Sequence, residues 1–106
     1  MAFIKAIVKR PDQLYGCMCN VSDRLETMQK TVGGWIETLT LDGKVVIICN
    51  EEGRTKGLDP NCAVCGHPFY GTIVAVGYDG RGNFADIPIS MKEWKSEYLR
   101  MKKIGG

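Results

Sequence analysis

Four of the five cysteines give this 106-residue chain its most specific chemical signal. Cys62 and Cys65 are three positions apart in a glycine-containing segment, and thiolates at this spacing around a tight turn can both face one tetrahedral zinc ion. Such an ion takes four ligands, so a second pair is needed. Cys17 and Cys19 could provide it, because residues two apart on a strand point to the same face. The sequence thus predicts a candidate zinc site formed by these four thiols.

The same cysteines also fit a simpler interpretation. The second Cys-x-x-Cys pair that is typical of zinc sites is missing, and cysteine is among the residue types most often buried, so buried or idle thiols without a metal are favoured over a zinc site. Cys49 and His67 are further candidate ligands. An odd number of cysteines cannot all pair within one chain. Redox chemistry is not favoured, because Gly66-His67-Pro68 does not resemble the helix start that lowers a thiolate pKa.

Catalytic chemistry finds little support in the residue types. His67 is the single histidine, and no signature of a cysteine nucleophile surrounds any of the thiols. Glu51 and Glu52 are adjacent and could act as an acid and a base, yet carboxylates in a Glu-Glu-Gly turn are usually solvated. An enzyme would need a polar pocket with perturbed titration around these three side chains. The sequence therefore favours a protein that binds a partner over one that catalyses a reaction.

The overall composition is that of an ordinary globular domain, with 44% hydrophobic and 25% charged residues. A formal net charge of +2 is too small for a strong electrostatic attraction to nucleic acid, so we expect no such partner. The basic residues near the C-terminus are Lys92, Lys95, Arg100, Lys102 and Lys103, and Glu93 and Glu97 interleave with them. That pattern is typical of a solvated helix face.

Nothing in the sequence predicts contact with a membrane. The chain has no run of about 20 apolar residues that could span a bilayer. Near the N-terminus, Lys5 interrupts the apolar run, and no signal-peptide core follows. We therefore expect a cytoplasmic protein.

The periodicity of apolar residues predicts an α+β fold with a mainly antiparallel sheet, one internal helix and one C-terminal helix. Strands are predicted over residues 3–9, 14–21, 36–41, 45–49, 70–78 and 84–89. Asp42-Gly43 is a strong hairpin signal, and the segment 45–49 is apolar on both faces, which indicates a central strand covered on both sides. We expect a single domain over residues 1–104, with residues 105–106 as a frayed tail.

Capping signals place the two helices. Ser22-Asp23 offers N-caps for the internal helix, which should end at Gly33-Gly34, where glycine allows a left-handed cap. Ser90 with Glu93 forms a capping box for the terminal helix. The apolar stripes expected to dock these helices are Leu25, Met28 and Val32 in the first, and Met91, Trp94, Tyr98 and Met101 in the second.

The glycine-rich, polar segment from Asn50 to His67 is the predicted binding region. A loop of this length is rarely idle in a small domain, and loops carried by a rigid scaffold often bind partners. Gly33-Gly34 would let a ligand approach the backbone, and Trp35 could form the floor of a pocket. The candidate binding residues are Gly33, Gly34, Trp35, Asn50, Glu51, Glu52, Arg54, Lys56 and Asn61.

Two blocks of the chain resemble a known family. Residues 25–37 and 48–61 resemble the signature blocks of the DUF3846 family, and residues 71–77 are similar to its later strand, so the resemblance covers most of residues 3–88. It implies a small protein of bacteria, phages or other mobile elements, without an assigned activity, located in a bacterial host cell. After Asn61 the family usually continues with arginine and a polar loop, whereas this chain has Cys62, which places the thiol cluster outside the family pattern.

Two hypotheses of function follow from these observations. The first is a non-catalytic binding module that contacts a host protein or sequesters a small nucleotide ligand, in a phage or mobile-element setting where it would serve counter-defence. The second is a zinc-stapled structural or interaction domain that uses the Cys62 and Cys65 knuckle. In either case the exposed edges of so small a sheet would allow a homodimer.

Overall fold

Residues 3–99, the part of the chain that the computed structural model describes, form eight strands and two short helices. In chain order the elements are β1 (Phe3–Lys9), β2 (Cys17–Ser22), α1 (Leu25–Val32), β3 (Ile36–Leu41), β4 (Val45–Asn50), β5 (Pro60–Val64), β6 (His67–Tyr70), β7 (Ile73–Tyr78), β8 (Phe84–Ala85) and α2 (Met91–Glu93), which continues as a π-helical turn (Trp94–Tyr98). The predicted α+β class is confirmed.

The main sheet is antiparallel and has the strand order β2-β1-β7-β4-β3. β7 lies at its centre and pairs with β1 and β4, while β8 pairs with the far end of β7. β5 and β6 form a separate two-stranded hairpin. β2 and β3 are therefore the two edges of the main sheet.

Strand β4 lies inside the sheet, between β7 and β3, and every residue from Val45 to Asn50 is buried. The prediction of an interior strand covered on both sides is therefore confirmed. Its side chains alternate between two cores. On one face, α1 packs through Met28 and Val32 against Val46 and Ile48. On the other face, the β5–β6 hairpin and the C-terminal helical segment cover the sheet; the core there consists of Ile7, Leu41, Val45, Ile47, Cys49, Val64, Phe69, Ile73, Ala75, Ile87, Ile89, Trp94, Tyr98 and Leu99. The molecule thus has three layers.

Helix α1 ends as predicted but begins differently. Gly33 adopts φ 82°, and its N–H donates to the Gln29 carbonyl at 2.9 Å, which is the left-handed cap expected at this position. At the other end Arg24, rather than Ser22-Asp23, is the N-cap, and it makes no side-chain capping bond. Ser22 is the last residue of β2, and its hydroxyl accepts the Arg24 N–H at 3.3 Å. The strand therefore extends into the predicted cap.

The Asp42-Gly43 hairpin is confirmed, and so is Ser90 as the N-cap of the second helix. Asp42 and Gly43 both have positive φ angles, 52° and 65°, and the Lys44 N–H donates to the Leu41 carbonyl at 3.1 Å. Ser90 caps α2 by accepting the Glu93 N–H at 3.1 Å. Residues 100–104 of the predicted terminal helix, and the tail predicted at residues 105–106, lie outside the described residues.

Several predicted boundaries were wrong because local turns interrupt the apolar runs. β2 begins at Cys17 instead of residue 14, since Gly16 adopts φ 84° just before it. The predicted strand 70–78 is divided by Gly71 at φ 78° into the end of β6 and the whole of β7. The run 84–89 forms only the two residues of β8.

The predicted loop between residues 50 and 67 is only partly a loop. Turns occupy residues 51–57, but Pro60–Val64 is strand β5 and His67 begins β6. A tight turn joins the two strands, with φ angles of 49° at Cys65 and 85° at Gly66. None of the helices in the described residues is long and apolar enough to cross a membrane.

Candidate binding groove

The structure contains a groove of about 320 Å³ between the end of the β3–β4 hairpin and strand β6. We call it the β3–β6 groove. Leu39, Cys49 and Phe69 contribute its buried or half-buried surface. Its exposed polar lining consists of Glu37, Thr38, Glu51, Arg54 and His67. The groove thus combines an apolar interior with groups of both charge signs, a composition typical of binding sites.

The edge strand β3 supplies one wall of the groove and presents unpaired main-chain groups beside it. The Glu51 N–H donates to the Trp35 carbonyl at 2.9 Å, which makes this a hydrogen-bonded position of the β3–β4 pair. Bonded and non-bonded positions alternate in antiparallel pairs, so Thr38 and Thr40 direct their N–H and C=O groups away from β4. Among the described strands β3 pairs with β4 alone, so these groups are open to a ligand.

Cys49 is the thiol that lines the groove, and its surroundings keep it protonated. Burial raises the pKa of Cys49 from 9.0 to about 11, and the nearby Glu37 carboxylate adds to the effect because it opposes a second negative charge. The thiol lies 3.6 Å from the Glu37 carbonyl, to which it can donate. A thiol in this state is a poor nucleophile and a poor metal ligand at neutral pH. Cys49 therefore contributes packing to the groove.

We expect Cys49 to react slowly with thiol reagents in the folded protein. A pKa two units above that of an ordinary thiol lowers the thiolate fraction at pH 8 by about a hundredfold, and burial adds steric protection. Treating the native protein with an aromatic disulfide reagent and locating the adducts by mass spectrometry should show modification of the exposed Cys17 first and of Cys49 only after unfolding. Equal rates for the two thiols in the folded protein would contradict this assignment.

Asn50 holds the two predicted binding segments together. Its amide nitrogen donates to the Val32 carbonyl at 3.2 Å, and its side-chain oxygen accepts the Glu52 N–H at 2.8 Å. A Cβ atom on Gly34 would lie 2.9 Å from the same amide nitrogen, so a larger residue there would press against Asn50. The glycine is thus explained by close packing. Asn50 is buried and internally bonded, which makes it a residue that positions the turn after β4.

A comparison with protein-family profiles matches residues 4–100 to DUF3846, a domain of unknown function. The chain belongs to the DUF3846 family. Comparisons with curated proteins and with solved structures find no match. The matched residues include all of the β3–β6 groove, which therefore lies within the DUF3846 domain.

The DUF3846 domain distributes the nine predicted binding residues over several places. Asn50, Glu51 and Arg54 line the β3–β6 groove, together with Glu37, Leu39 and Phe69, which were not among the predicted residues. Glu52 and Lys56 form an exposed ion pair at 3.2 Å on the turn beside it. Gly34 lies against Asn50, Gly33 caps α1, and Trp35, which is 67% exposed, follows them. The alternation along β3 was the signal that could have indicated Glu37 and Leu39 as one face of a strand.

Asn61 serves the interior of the DUF3846 domain. Its amide nitrogen donates to the carbonyls of Lys9 and Gly71 at 2.8 and 2.7 Å. Its side-chain oxygen accepts from the Lys9 ammonium at 2.6 Å. Lys9 is only 2% exposed, so Asn61 satisfies a buried cation and ties β5 to β1. These bonds occupy the amide, which leaves it little capacity to contact a partner.

The four candidate zinc ligands lie on different sides of the main sheet. Cys17 and Cys19 are on β2, opposite Val8 and Ala6, and therefore face the α1 side. Cys62 packs against the core on the other face, and Cys65 is in the turn between β5 and β6. Within residues 3–99, no group of three or more histidine, cysteine, aspartate or glutamate side chains is arranged to hold a metal ion. The structure does not bring the four thiols together.

Proposed function

We propose that this protein is a non-catalytic binding module whose β3–β6 groove receives an extended segment of a partner protein. The partner segment pairs with the open edge of β3 and places one apolar side chain in the groove. The observation that carries this proposal is the position of the groove directly beside an unpaired sheet edge. In this arrangement main-chain hydrogen bonds provide affinity and the groove provides selectivity.

The main chain of β3 matches the requirement for strand addition. Thr38 and Thr40 direct their peptide groups outward, and both side chains are exposed, so neither covers the edge. β3 contains neither proline nor lysine, which commonly protect edge strands, and its one charged residue, Glu37, lines the groove. A partner strand of about four residues could therefore pair with this edge.

The chemistry of the groove indicates which side chains a partner would present. Its volume of about 320 Å³ is near the lower end for small-molecule pockets and is sufficient for a large side chain. The interior contacts are apolar, from Leu39 and Phe69. Among residues 3–99, the Arg54 guanidinium has no ion-pair partner, so it can bind a carboxylate that follows the apolar side chain.

A binding role also agrees with the state of Cys49. Its raised pKa keeps the thiol protonated, so it does not act as a nucleophile in the groove. The phage or mobile-element setting implied by the family resemblance extends the proposal to counter-defence, with a host protein as the partner. Sequestration of a small nucleotide by the same groove is the competing version. It would use Arg54 for a phosphate group in place of a carboxylate.

A displayed library of short random peptides tests the proposal. We expect selection on the protein to enrich sequences with alternating apolar positions. Thr38→Pro should weaken binding of a selected peptide about tenfold or more, because it removes an outward N–H and obstructs the edge. Proline is tolerated where an edge N–H faces solvent, so the fold should persist, as circular dichroism would show. The matched control is Asn20→Pro on the opposite edge, which should leave peptide binding unchanged.

The outcomes separate the alternatives. Selected peptides that bind wild type and Thr38→Pro equally would contradict strand addition at β3. If no peptide is selected while cyclic or linear nucleotides raise the melting temperature, the groove is a small-ligand site and the proposed partner is wrong. Loss of peptide binding in Thr38→Pro but not in Asn20→Pro supports the proposal.

A further inference from the structure

Strand β2 forms the sheet edge opposite to the groove, and it lacks the usual protection against pairing. Among the described strands it pairs with β1 alone, and its residues from Cys17 to Asn20 are all exposed. Neither proline nor a charged residue occurs between Leu14 and Ser22. Natural edge strands commonly carry such residues, because they prevent open N–H and C=O groups from pairing with another chain. An uncharged, exposed edge therefore indicates an interface.

The hydrogen bonds of β1 show which main-chain groups of β2 are open. Lys5 lies opposite Asn20, yet its N–H and carbonyl bond to residues 86–87 on the other side, at 2.8 and 2.9 Å. The Lys5–Asn20 pair is therefore a non-bonded position of the β1–β2 ladder. Because bonded and non-bonded positions alternate, Cys19 bonds to β1, whereas Met18 and Asn20 direct their N–H and C=O groups outward.

Several exposed apolar side chains belong to this edge strand or to segments next to it in the chain or in the sheet. Six large apolar side chains of residues 3–99 are exposed, and four of them are Phe3, Leu14, Met18 and Leu25. Met18 lies on β2, Leu14 and Leu25 flank it in the chain, and Phe3 is opposite the last residue of β2. Met18, which is exposed on the edge strand itself, is the apolar side chain that a second strand pairing with β2 would contact directly.

We propose that β2 is a homodimer interface, in which two copies of the chain pair their β2 strands antiparallel around a two-fold axis at Cys19. In this register Met18 of each copy faces Asn20 of the other, so their outward N–H and C=O groups form four hydrogen bonds. Cys19 faces Cys19 of the second copy at a non-bonded position. The two sheets join into one continuous sheet.

A second copy fits this edge because the edge is complementary to itself. A two-fold axis requires the same surface on both partners, and an uncharged strand meets its own copy without repulsion between like charges. The proposed register also brings the segment before one β2, which contains Leu14, toward the segment after the other β2, which leads to Leu25 in α1. The apolar side chains at both ends of the interface then lie next to each other and are removed from water.

The solution mass provides the first test. We expect light scattering to give twice the chain mass of 11.7 kDa, with a shift toward the single mass on dilution. Asn20→Pro removes an outward N–H and should yield a monomer with an unchanged circular dichroism spectrum. Thr38→Pro, the matched change on the β3 edge, should remain dimeric. This pair of variants also separates dimerisation from peptide binding, for which the opposite pattern is expected.

Disulfide trapping provides a second test that does not depend on a proline variant. Non-bonded pairs bring Cα atoms to about 4.5 Å, within the range for a disulfide. In a chain with Cys17→Ser and Cys65→Ser, oxidised glutathione should first form a mixed disulfide with Cys19 and release one glutathione thiol. Cys19 of the second copy then displaces the second glutathione thiol, which leaves a covalent dimer. The chain with Cys19→Ser and Cys65→Ser retains Cys17 instead. It should form at least tenfold less covalent dimer than the chain that retains Cys19.

Each result decides for or against the interface. A wild-type protein that stays monomeric at every concentration, with no trapped dimer, overturns it. A dimer that persists in Asn20→Pro but dissociates in Thr38→Pro places the interface on β3 and contradicts the proposal. Faster trapping through Cys17 than through Cys19 contradicts the register. Dimer loss in Asn20→Pro together with Cys19-dependent trapping supports both the interface and its axis.

Discussion

Replacing Trp94 with alanine is expected to lower the free energy of unfolding by about 3–5 kcal/mol. Trp94 is fully buried in the core between the sheet and the C-terminal helical segment. Its indole N–H donates to the Tyr15 carbonyl at 2.9 Å, and its ring stacks on Tyr98 at a centroid distance of 6.1 Å. The substitution therefore removes apolar contacts, a hydrogen bond and an aromatic pair at once. Urea unfolding followed by circular dichroism measures the change.

The second tryptophan supplies the control. Trp35 is 67% exposed, so Trp35→Ala should change the free energy of unfolding by no more than about 0.5 kcal/mol. Trp94→Phe keeps most of the ring volume but loses the indole N–H, so its effect should be intermediate. If Trp35→Ala and Trp94→Ala were equally destabilising, the placement of the C-terminal helical segment on the sheet would be wrong.

The second large effect is expected at Asn61. Asn61→Leu preserves the approximate side-chain volume but leaves the buried Lys9 ammonium, together with two carbonyls, without the amide that binds them. A buried polar group left without its hydrogen-bond partner typically costs about 1–3 kcal/mol, and a charged group costs more, so we expect the loss of these three bonds to lower the free energy of unfolding by about 3 kcal/mol or more. Urea unfolding of the variant against wild type measures it.

A double variant tests whether the effect arises from the pair. Lys9→Met removes the buried charge, so Lys9→Met combined with Asn61→Leu should be more stable than Asn61→Leu alone. Lys5→Met, on the same strand and the same side of the sheet but exposed, is the matched control and should have little effect. If the changes in unfolding free energy of the two single variants simply add in the double variant, Lys9 and Asn61 are independent. That result would contradict the contact between them in the structure.

Local patterns in the sequence were sufficient for much of the fold. The Asp42-Gly43 turn and the Gly33 cap were predicted because few residue types adopt positive φ angles readily. Glycine and aspartate, which occupy these positions, are among those types. The burial of β4 followed from an apolar run that no half-exposed strand would carry. The β5–β6 hairpin was not predicted, since Pro60 and Pro68 weaken the strand pattern and its turn places a cysteine at positive φ.

The sequence by itself determined the α+β class, the central strand and the family, because alternation, turn residues and motif blocks are local properties. Only the tertiary structure decided the site. Lys9 and Asn61 are 52 positions apart and meet because the hairpin packs against the sheet. The same packing creates the β3–β6 groove. It also leaves Cys17 and Cys19 on one side of the sheet and Cys62 on the other. Contacts between distant segments depend on how apolar faces fit together, and no local pattern specifies that fit.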